Sequence, residues 1–343
     1  MKRLLCLALI LGCAVIGGCA QRIELALMAV CVGVDVSAEG VTLTVKSPDY
    51  AGERDSEKKG YATLSATGPD WQQAVAALYA QAPVTPQFGQ LREVVVSLPS
   101  FRYMPPRQLF ECLDQLPSIR SHALVTVCPG SAREMIEGMS PEIGKRLSKY
   151  LDLALDHFEQ TGRIPATSMS CALRDLGGFW RDPVLAYYDG GEYAGALALG
   201  SAGQVLLTGR EVQLYRLVRG ETQAWQAERD GQWFGARLRG RARLAVDTDG
   251  GRDTLVLRLP VYLTYSLYGD PPPEGPEDVL HRELNDLLAK LQGVGCDAWG
   301  FGCQAVRKYA ALGDWLRSGW PERYRQAGVR IELDARLLQQ PPP

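Results

Sequence analysis

The chain has 343 residues, 46% of them hydrophobic and 22% charged, with a formal net charge of -2. That length fits two or three domains with sizeable cores. Near-neutral charge and the lack of a long basic run exclude nucleic acid as the partner, because phosphate binding needs a concentrated cationic face.

Lys2 and Arg3 precede an apolar run from Leu4 to Ile16. The run has the length of a signal-peptide core and falls short of the ~20 residues that span a bilayer. Ile16-Gly17-Gly18-Cys19 then sets an aliphatic residue three before a cysteine with small residues between, the lipobox pattern. Small residues let a peptidase lay the backbone extended in its site, and a thiolate is the side-chain nucleophile suited to thioether formation with a lipid donor. Ile10-Leu11-Gly12-Cys13 also fits. Cys19 is preferred because Gln21 and Arg22 follow it at once, whereas Cys13 leaves Ala14-Val15-Ile16 on the mature end. Residues 1–18 therefore read as a lipoprotein signal peptide, and the mature chain as an exported protein held by membrane lipid through Cys19. The alternative is an ordinary cleaved signal with an incidental cysteine.

Of nine cysteines, Cys6 and Cys13 leave with the signal and Cys19 is lipidated, so 9 − 3 = 6 remain: Cys31, Cys112, Cys128, Cys171, Cys296 and Cys303. An even number in an exported chain permits disulfides. Cys31 and Cys128 lie in apolar strand-like runs, where a cysteine acts as a small hydrophobe, so free thiols are favoured. Cys296 and Cys303 are the one pair close enough in sequence to test.

In chain order, Ala29 to Val36 and Val41 to Val45 alternate around Ala38-Glu39-Gly40, predicting a hairpin with one buried face. Ala51 to Lys59 is polar and reads as a solvated loop. Asp70 is a helix N-cap before Trp71, Ala74, Val75 and Leu78, which stop near Pro83. Leu91 to Leu98, with three valines in a row, predicts a central strand covered on both faces. A short helix over Pro106 to Leu116 and a strand over Ala123 to Cys128 follow. Ser140-Pro141-Glu142 starts a helix whose apolar face is Ile143, Leu147, Tyr150, Leu151, Ala154 and Phe158, ending at Gly162. Pro165 to Pro183 reads as irregular, and Asp189-Gly190-Gly191-Glu192 as a domain boundary.

Beyond it, Ala194 to Leu199 and Gln204 to Thr208 predict a hairpin across Ser201-Ala202-Gly203. Ala236 to Val246 and Thr254 to Tyr265 are two longer strands flanking the turn Asp247 to Gly251. After the Pro271-Pro272-Pro273 loop comes a helix with Leu280, Leu284, Leu287, Leu288 and Leu291 on one side. A helix near Gln304 to Arg317, a short one after Pro321 and a strand from Val329 to Leu337 close the chain before the Pro341-Pro342-Pro343 tail. The fold class is α+β: mixed sheets with packed helices in more than one domain. The division is 19–190, with a sub-boundary near 130, and 191–339.

This order of features resembles the Ger(x)C family, the lipoprotein C-subunits of spore germinant receptors. The likeness starts at Cys19-Ala20-Gln21-Arg22-Ile23-Glu24, leading to a strand that ends Gly33-Val34-Asp35, and continues at Phe88-Gly89-Gln90-Leu91. It resumes at Gly195 to Gly209 and at Leu288-Ala289-Lys290-Leu291-Gln292 before Cys296-Asp297-Ala298-Trp299-Gly300-Phe301-Gly302. Ala20 stands where a tryptophan is common in the family. The resemblance implies a non-enzymatic lipoprotein carrying an acyl chain such as palmitate at Cys19. It also implies a place on the outer face of the spore inner membrane, beside two integral membrane subunits.

The residues themselves offer little chemistry. His122, His157 and His281 each stand alone, the first opening a strand and the others on helices. Cys296, Cys303 and His281 lack the paired spacing and the fourth ligand of a zinc site. Gly300-Phe301-Gly302 before a helix could hold an anion, but the third glycine of a dinucleotide site is missing, and close packing of the helix on the sheet is the favoured role. Ser131 in Gly130-Ser131-Ala132 is a helix cap and not a nucleophile elbow. No catalytic residue, cofactor or metal is expected. A solute-binding lipoprotein of a transporter is the alternative function, disfavoured because it predicts two similar α/β lobes.

Overall fold

The computed structural model describes residues 27–48, 61–139, 147–178, 180–229, 232–265 and 275–338. The expected signal peptide, Cys13, Cys19 and the step through Glu24 lie outside the described residues, as do Ala51 to Lys59, Ser140 to Ile143 and the two triple-proline segments. In chain order the elements are β1 (Leu27–Met28), β2 (Cys31–Ser37), β3 (Gly40–Pro48), β4 (Tyr61–Gly68), α1 (Trp71–Gln81), β5 (Pro86–Gln87), β6 (Glu93–Ser97) and α2 (Pro106–Asp114). Then come β7 (Leu124–Cys128), α3 (Ala132–Gly138), α4 (Leu147–Gln160), α5 (Met169–Gly178), β8 (Val184–Asp189), β9 (Glu192–Gly200), β10 (Gly203–Thr208) and α6 (Gly209–Arg219). The last are β11 (Ala224–Arg229), β12 (Gln232–Leu238), β13 (Arg243–Asp249), β14 (Arg252–Tyr265), α7 (Pro276–Gly293), α8 (Gly302–Ala305), α9 (Leu312–Arg317), α10 (Trp320–Gln326) and β15 (Gly328–Leu337).

Two large sheets organise them. The first has eight strands in the order β10-β9-β8-β7-β6-β2-β3-β4. Its middle strands β2, β6, β7 and β8 run parallel and the flanking ones antiparallel. The second has the order β11-β12-β14-β13, with β15 pairing in parallel to β14. A parallel strand needs helices on both its faces, which is why β6 and β7 are built around consecutive apolar residues, Val94 to Val96 and Leu124-Val125. All five residues of each are buried. One face packs on α1, α2 and α5 through Trp71, Leu78, Phe110 and Met169; the other packs on α3 and α4 through Ile136 and Leu151.

The Gly33-Val34-Asp35 segment of β2 acquires a physical reason here. A Cβ on Gly33 would stand 2.7 Å from Ile136 Cδ1 and 3.3 Å from the Ala132 backbone, so only glycine lets α3 lie this close to the strand. Two residues on, Asp35 accepts from Ala132 N at 2.8 Å and Arg133 N at 2.9 Å, and from Ser131 Oγ at 3.2 Å. Those N–H groups are the orphan donors at the start of α3, and a carboxylate there also meets the positive end of the helix dipole. Ser131 caps the same helix, accepting from Glu134 N as the sequence predicts.

The second sheet packs on α6 and α7. On α7, Leu280, Leu284, Leu287, Leu288 and Leu291 are all within 1% of full burial, each worth ~1.5–3 kcal/mol against exposure. The cores are not sealed from one another: β9 sends Leu197 and Leu199 into the first sheet's core and Ala196 and Ala198 into the second's. Arg216 of α6, itself buried, donates to the backbone carbonyls of Glu159 and Ile164 beyond the first sheet.

Several expectations hold. Asp70 caps α1 by accepting from Gln73 N, and Gly162 follows α4 at φ +73°. The hairpin of β9 and β10 and the final strand form as predicted. Others are corrected. The β2–β3 hairpin is covered on both faces, because α3 takes the side expected to be solvated. Pro165 to Pro183 contains α5, whose Met169 and Ala172 enter the core. Ala236 to Val246 is two strands, since the chain turns at Arg239-Gly240-Arg241-Ala242. Gln304 to Arg317 is α8, a 3-10 turn over Val306–Lys308, and α9. Asp189-Gly190-Gly191-Glu192 is a tight turn between neighbouring strands, so the first sheet continues through it to residue 208.

The replacement Asp35→Ala leaves the α3 donors without an acceptor. It should lower unfolding stability by ~1–2 kcal/mol in urea titrations with no change in slope. An unshifted midpoint would remove Asp35 from that role.

Candidate functional site

Three loops meet at one edge of the first sheet: residues 180–183 entering β8, the Ser201-Ala202 turn between β9 and β10, and 294–302 leaving α7. Ser201 N and Ala202 N donate to Gly295 O and Val294 O at 3.2 and 3.0 Å. Gly200 makes this approach feasible, since a Cβ there would fall 2.2 Å from Val294 O. Asp182 N donates to Asp297 O at 3.2 Å, and Asp297 N donates back to Asp182 Oδ2 at 2.7 Å.

Asp297 is the hub. Its Oδ1 accepts from Gly300 N at 3.0 Å and Phe301 N at 2.8 Å, and its Oδ2 from Gly302 N at 2.6 Å and Trp320 Nε1 at 3.1 Å. The anion that the glycine-rich turn could hold is thus the chain's own carboxylate, three residues earlier. Gly300 takes φ +85° to wrap the backbone around it. Gly302 answers a different need: a Cβ would stand 2.5 Å from Trp180 O, so the glycine packs α8 on the Trp180 segment ahead of β8 and not on the sheet itself. Burial pushes the Asp297 carboxyl up to about 6, against the pull of its donors. Burial likewise raises Asp182 to about 7; the Asp297 N–H opposes this, and the charges of Asp297 and Asp175 add to it.

Beside these carboxyls lies a cleft of about 280 Å³ lined by Trp180, Arg181, Asp182, Trp315, Trp320 and Tyr324, among others. Arg181 pairs with Asp175 at its wall. Nearby, Cys303 contacts Trp180 O at 3.8 Å, and burial raises the pKa values of both Cys296 and Cys303, which keeps them thiols and not nucleophiles. The cleft therefore offers proton-binding carboxyls and aromatic walls, with no activated nucleophile among the described residues that line it.

The residues singled out in the sequence do not converge. His122 bonds to its neighbour Ser121, His157 stacks near Phe158, and His281 lies against Asn285 on α7. His281 and Cys296 stand fifteen positions apart along and just beyond α7, about 20 Å at the helical rise, so no zinc site joins them. The six thiols are free, Cys31, Cys128 and Cys296 being buried and Cys112, Cys171 and Cys303 partly so. Among the described residues no cluster of three or more His, Cys, Asp or Glu is arranged to hold a metal.

Sequence reasoning missed a second polar cluster. Glu93, fully buried in β6, accepts at Oε1 from Thr126 Oγ1 at 2.5 Å and from Tyr193 OH at 2.7 Å. Burial raises its pKa. Lys46, also buried, donates to Ile136 O at 2.7 Å, to Glu137 O at 3.3 Å and to Met139 O, closing the carbonyl end of α3. The signal was there to find: a glutamate ahead of three valines in a strand covered on both faces.

Residues 20–189 match the family model of the spore germination protein N-terminal domain. No curated protein matches the chain. The fold is similar to that in the crystal structure of the GerBC protein, with a TM-score of 0.54 over 90% of this chain and 97% of that one, at 13% sequence identity. The class is therefore an α+β protein of the GerBC fold. The chain belongs to the Ger(x)C family, the C-subunits of spore germinant receptors.

Two measurements probe the junction. An asparagine offers one acceptor oxygen to four donors, so Asp297→Asn should cost ~2–3 kcal/mol in chemical unfolding. Both carboxyls have folded pKa values above those of a free carboxyl, so the folded state takes up protons. Their stabilisation is complete below about pH 4 and is lost as pH rises through 6 and 7. Melting temperature should fall between pH 5 and 8, and Asp182→Asn should flatten that fall; an equal slope in the variant would exclude Asp182 as its source.

Proposed function

We propose that the chain is the lipid-anchored, non-enzymatic C-subunit of a spore germinant receptor. It is held through Cys19 on the extracytoplasmic face of the spore inner membrane and acts with two integral membrane subunits. The observation that carries this reading is the family match, which begins at residue 20, directly after the lipobox cysteine. Among the described residues no helix is long and apolar enough to cross a membrane, so retention at the membrane would fall to the acyl group and to partners. Two acyl chains give stable anchoring where one is marginal. Tethering confines the protein to a thin layer and raises its effective concentration for membrane partners, so weak contacts suffice. In this reading the regions 19–190 and 191–339 act as one adaptor body, since β9 belongs to both cores.

Cys19→Ala should move the protein to the soluble fraction, block germination and deplete the membrane subunits on immunoblots. His122→Gln, His157→Gln and His281→Gln should each germinate normally. Retention of the Cys19 variant at the membrane, with Cys13→Ala released instead, would move the anchor to Cys13. A folded, anchored and inactive histidine variant would overturn the non-enzymatic reading and point to catalysis at that histidine.

A further inference from the structure

The parallel strands β2, β6, β7 and β8 all begin at one rim of the first sheet. Their register aligns Cys31 with Glu93 and Glu93 with Leu124, and it pairs Thr126 with Ala186, so Val184 falls at the same level. Leu27, where the described chain begins, leads into β2 at this rim, and Asp182 lies just ahead of β8 there. β2 and β8 are three strand spacings apart, about 14 Å. The cleft at Asp182 is walled by Leu316 of α9, which places that short helix on the same rim.

Helix α9 is built unlike the core helices. Trp315 points inward and is 1% exposed, whereas Leu312 and Leu316, one turn apart, are 57% and 51% exposed. Two adjacent leucines turned out to water cost free energy unless something apolar covers them. Arg317 flanks them, paired with Asp314. Arg120 and His122 lie farther along the rim beside Asp156 and Glu159, so charge there is mixed and the apolar pair dominates.

What covers the leucines follows from where the chain is tethered, and so rests on the Cys19 reading. Cys19 and Leu27 are separated by eight residues, a reach of at most about 27 Å. The seven-residue strand β2 is itself about 23 Å long, so turning the opposite rim to the bilayer would use nearly all of that reach. We propose that the rim carrying Leu27, Asp182 and α9 faces the lipid bilayer, and that Leu312 and Leu316 enter its headgroup and acyl boundary as a second, reversible membrane contact beside the acyl anchor. The contact fixes the orientation of the subunit, which attachment at a single point does not.

The test uses the acyl-free chain starting at Ala20, which keeps every described residue and does not depend on lipidation at Cys19. Co-flotation with vesicles of phosphatidylcholine and phosphatidylglycerol in equal parts should show weak binding. The double variant Leu312→Ser, Leu316→Ser should bind about tenfold more weakly while melting at the same temperature. Tyr103→Ser, removing an exposed aromatic (54%) in the loop after β6 at the opposite rim, should bind like the parent. Because apolar contact leads, vesicles of phosphatidylcholine alone should retain the difference between parent and double variant. Equal flotation of parent and double variant, or no flotation of the parent, would overturn the proposal. So would a double variant that loses self-association in sedimentation without losing vesicle binding, which would make a second copy the occupant. Failure of the Cys19→Ala release leaves these outcomes untouched, so the two readings fail separately.

Discussion

Buried backbone N–H groups must find an acceptor, and at the edge of the first sheet Asp297 supplies it for three successive amides and an indole. Helix α8 has four residues, too few to hold itself together, so its start is fixed by this carboxylate and by the contact of Gly302 with Trp180. Trp320 in turn stacks near Trp315 and Tyr324, with ring centroids 5.6 and 6.1 Å away, so α9 and α10 are located by the same hub. Burying the carboxyl is unfavourable, as its raised pKa records; the donors offset part of that cost and make the arrangement specific.

The same device recurs. Asp35 of β2 starts α3, and Lys46 of β3 ends it, so one short helix is clamped at both poles by strands of the sheet it covers. Thr208 and Glu211 form a reciprocal capping box at α6, and Lys290 of α7 grips the same glutamate at 2.8 and 2.9 Å. Apart from the capping box, these interactions join residues distant in sequence. By contrast, the ion pairs on the outer face of the second sheet, such as Arg258–Glu332 and Arg330–Asp247, are largely exposed and contribute little each.

This division explains what could be read in the sequence. Strands and helices with strong periodicity were legible: Leu280 to Leu291, the valines of β6, the Asp70 cap. The junction was half legible. Gly300-Phe301-Gly302 announced an anion-binding turn, but nothing local indicates that Asp297 turns back to fill it or that Asp182 meets it from 115 positions away. Helix α6 was missed although its capping box lies in plain view at Thr208 and Glu211, because the sequence between is rich in arginine and lacks a clean apolar stripe; packing against both sheets buries Leu214 and Leu217 all the same. Glu93 is hidden at the head of an apolar run, and its partners Thr126 and Tyr193 come from strands 33 and 100 positions away, so nothing local marks where its hydrogen bonds go.

Perturbed carboxyls beside a cleft ordinarily point to catalysis. Asp182 and Asp297 are raised chiefly by burial, and both oxygens of Asp297 and Oδ2 of Asp182 accept from donors of the knot itself. What the knot achieves is mechanical. Domains joined by a linker move independently by default; in this chain β9 contributes side chains to two cores, Arg216 reaches across to α4, and the Asp182–Asp297 pair stitches β8 to the end of α7. Among the described residues the two sheets are thereby joined through packed side chains and hydrogen bonds. That coupling fixes the relation of the two sheets, and it gives the buried carboxyls a structural part in holding the fold together.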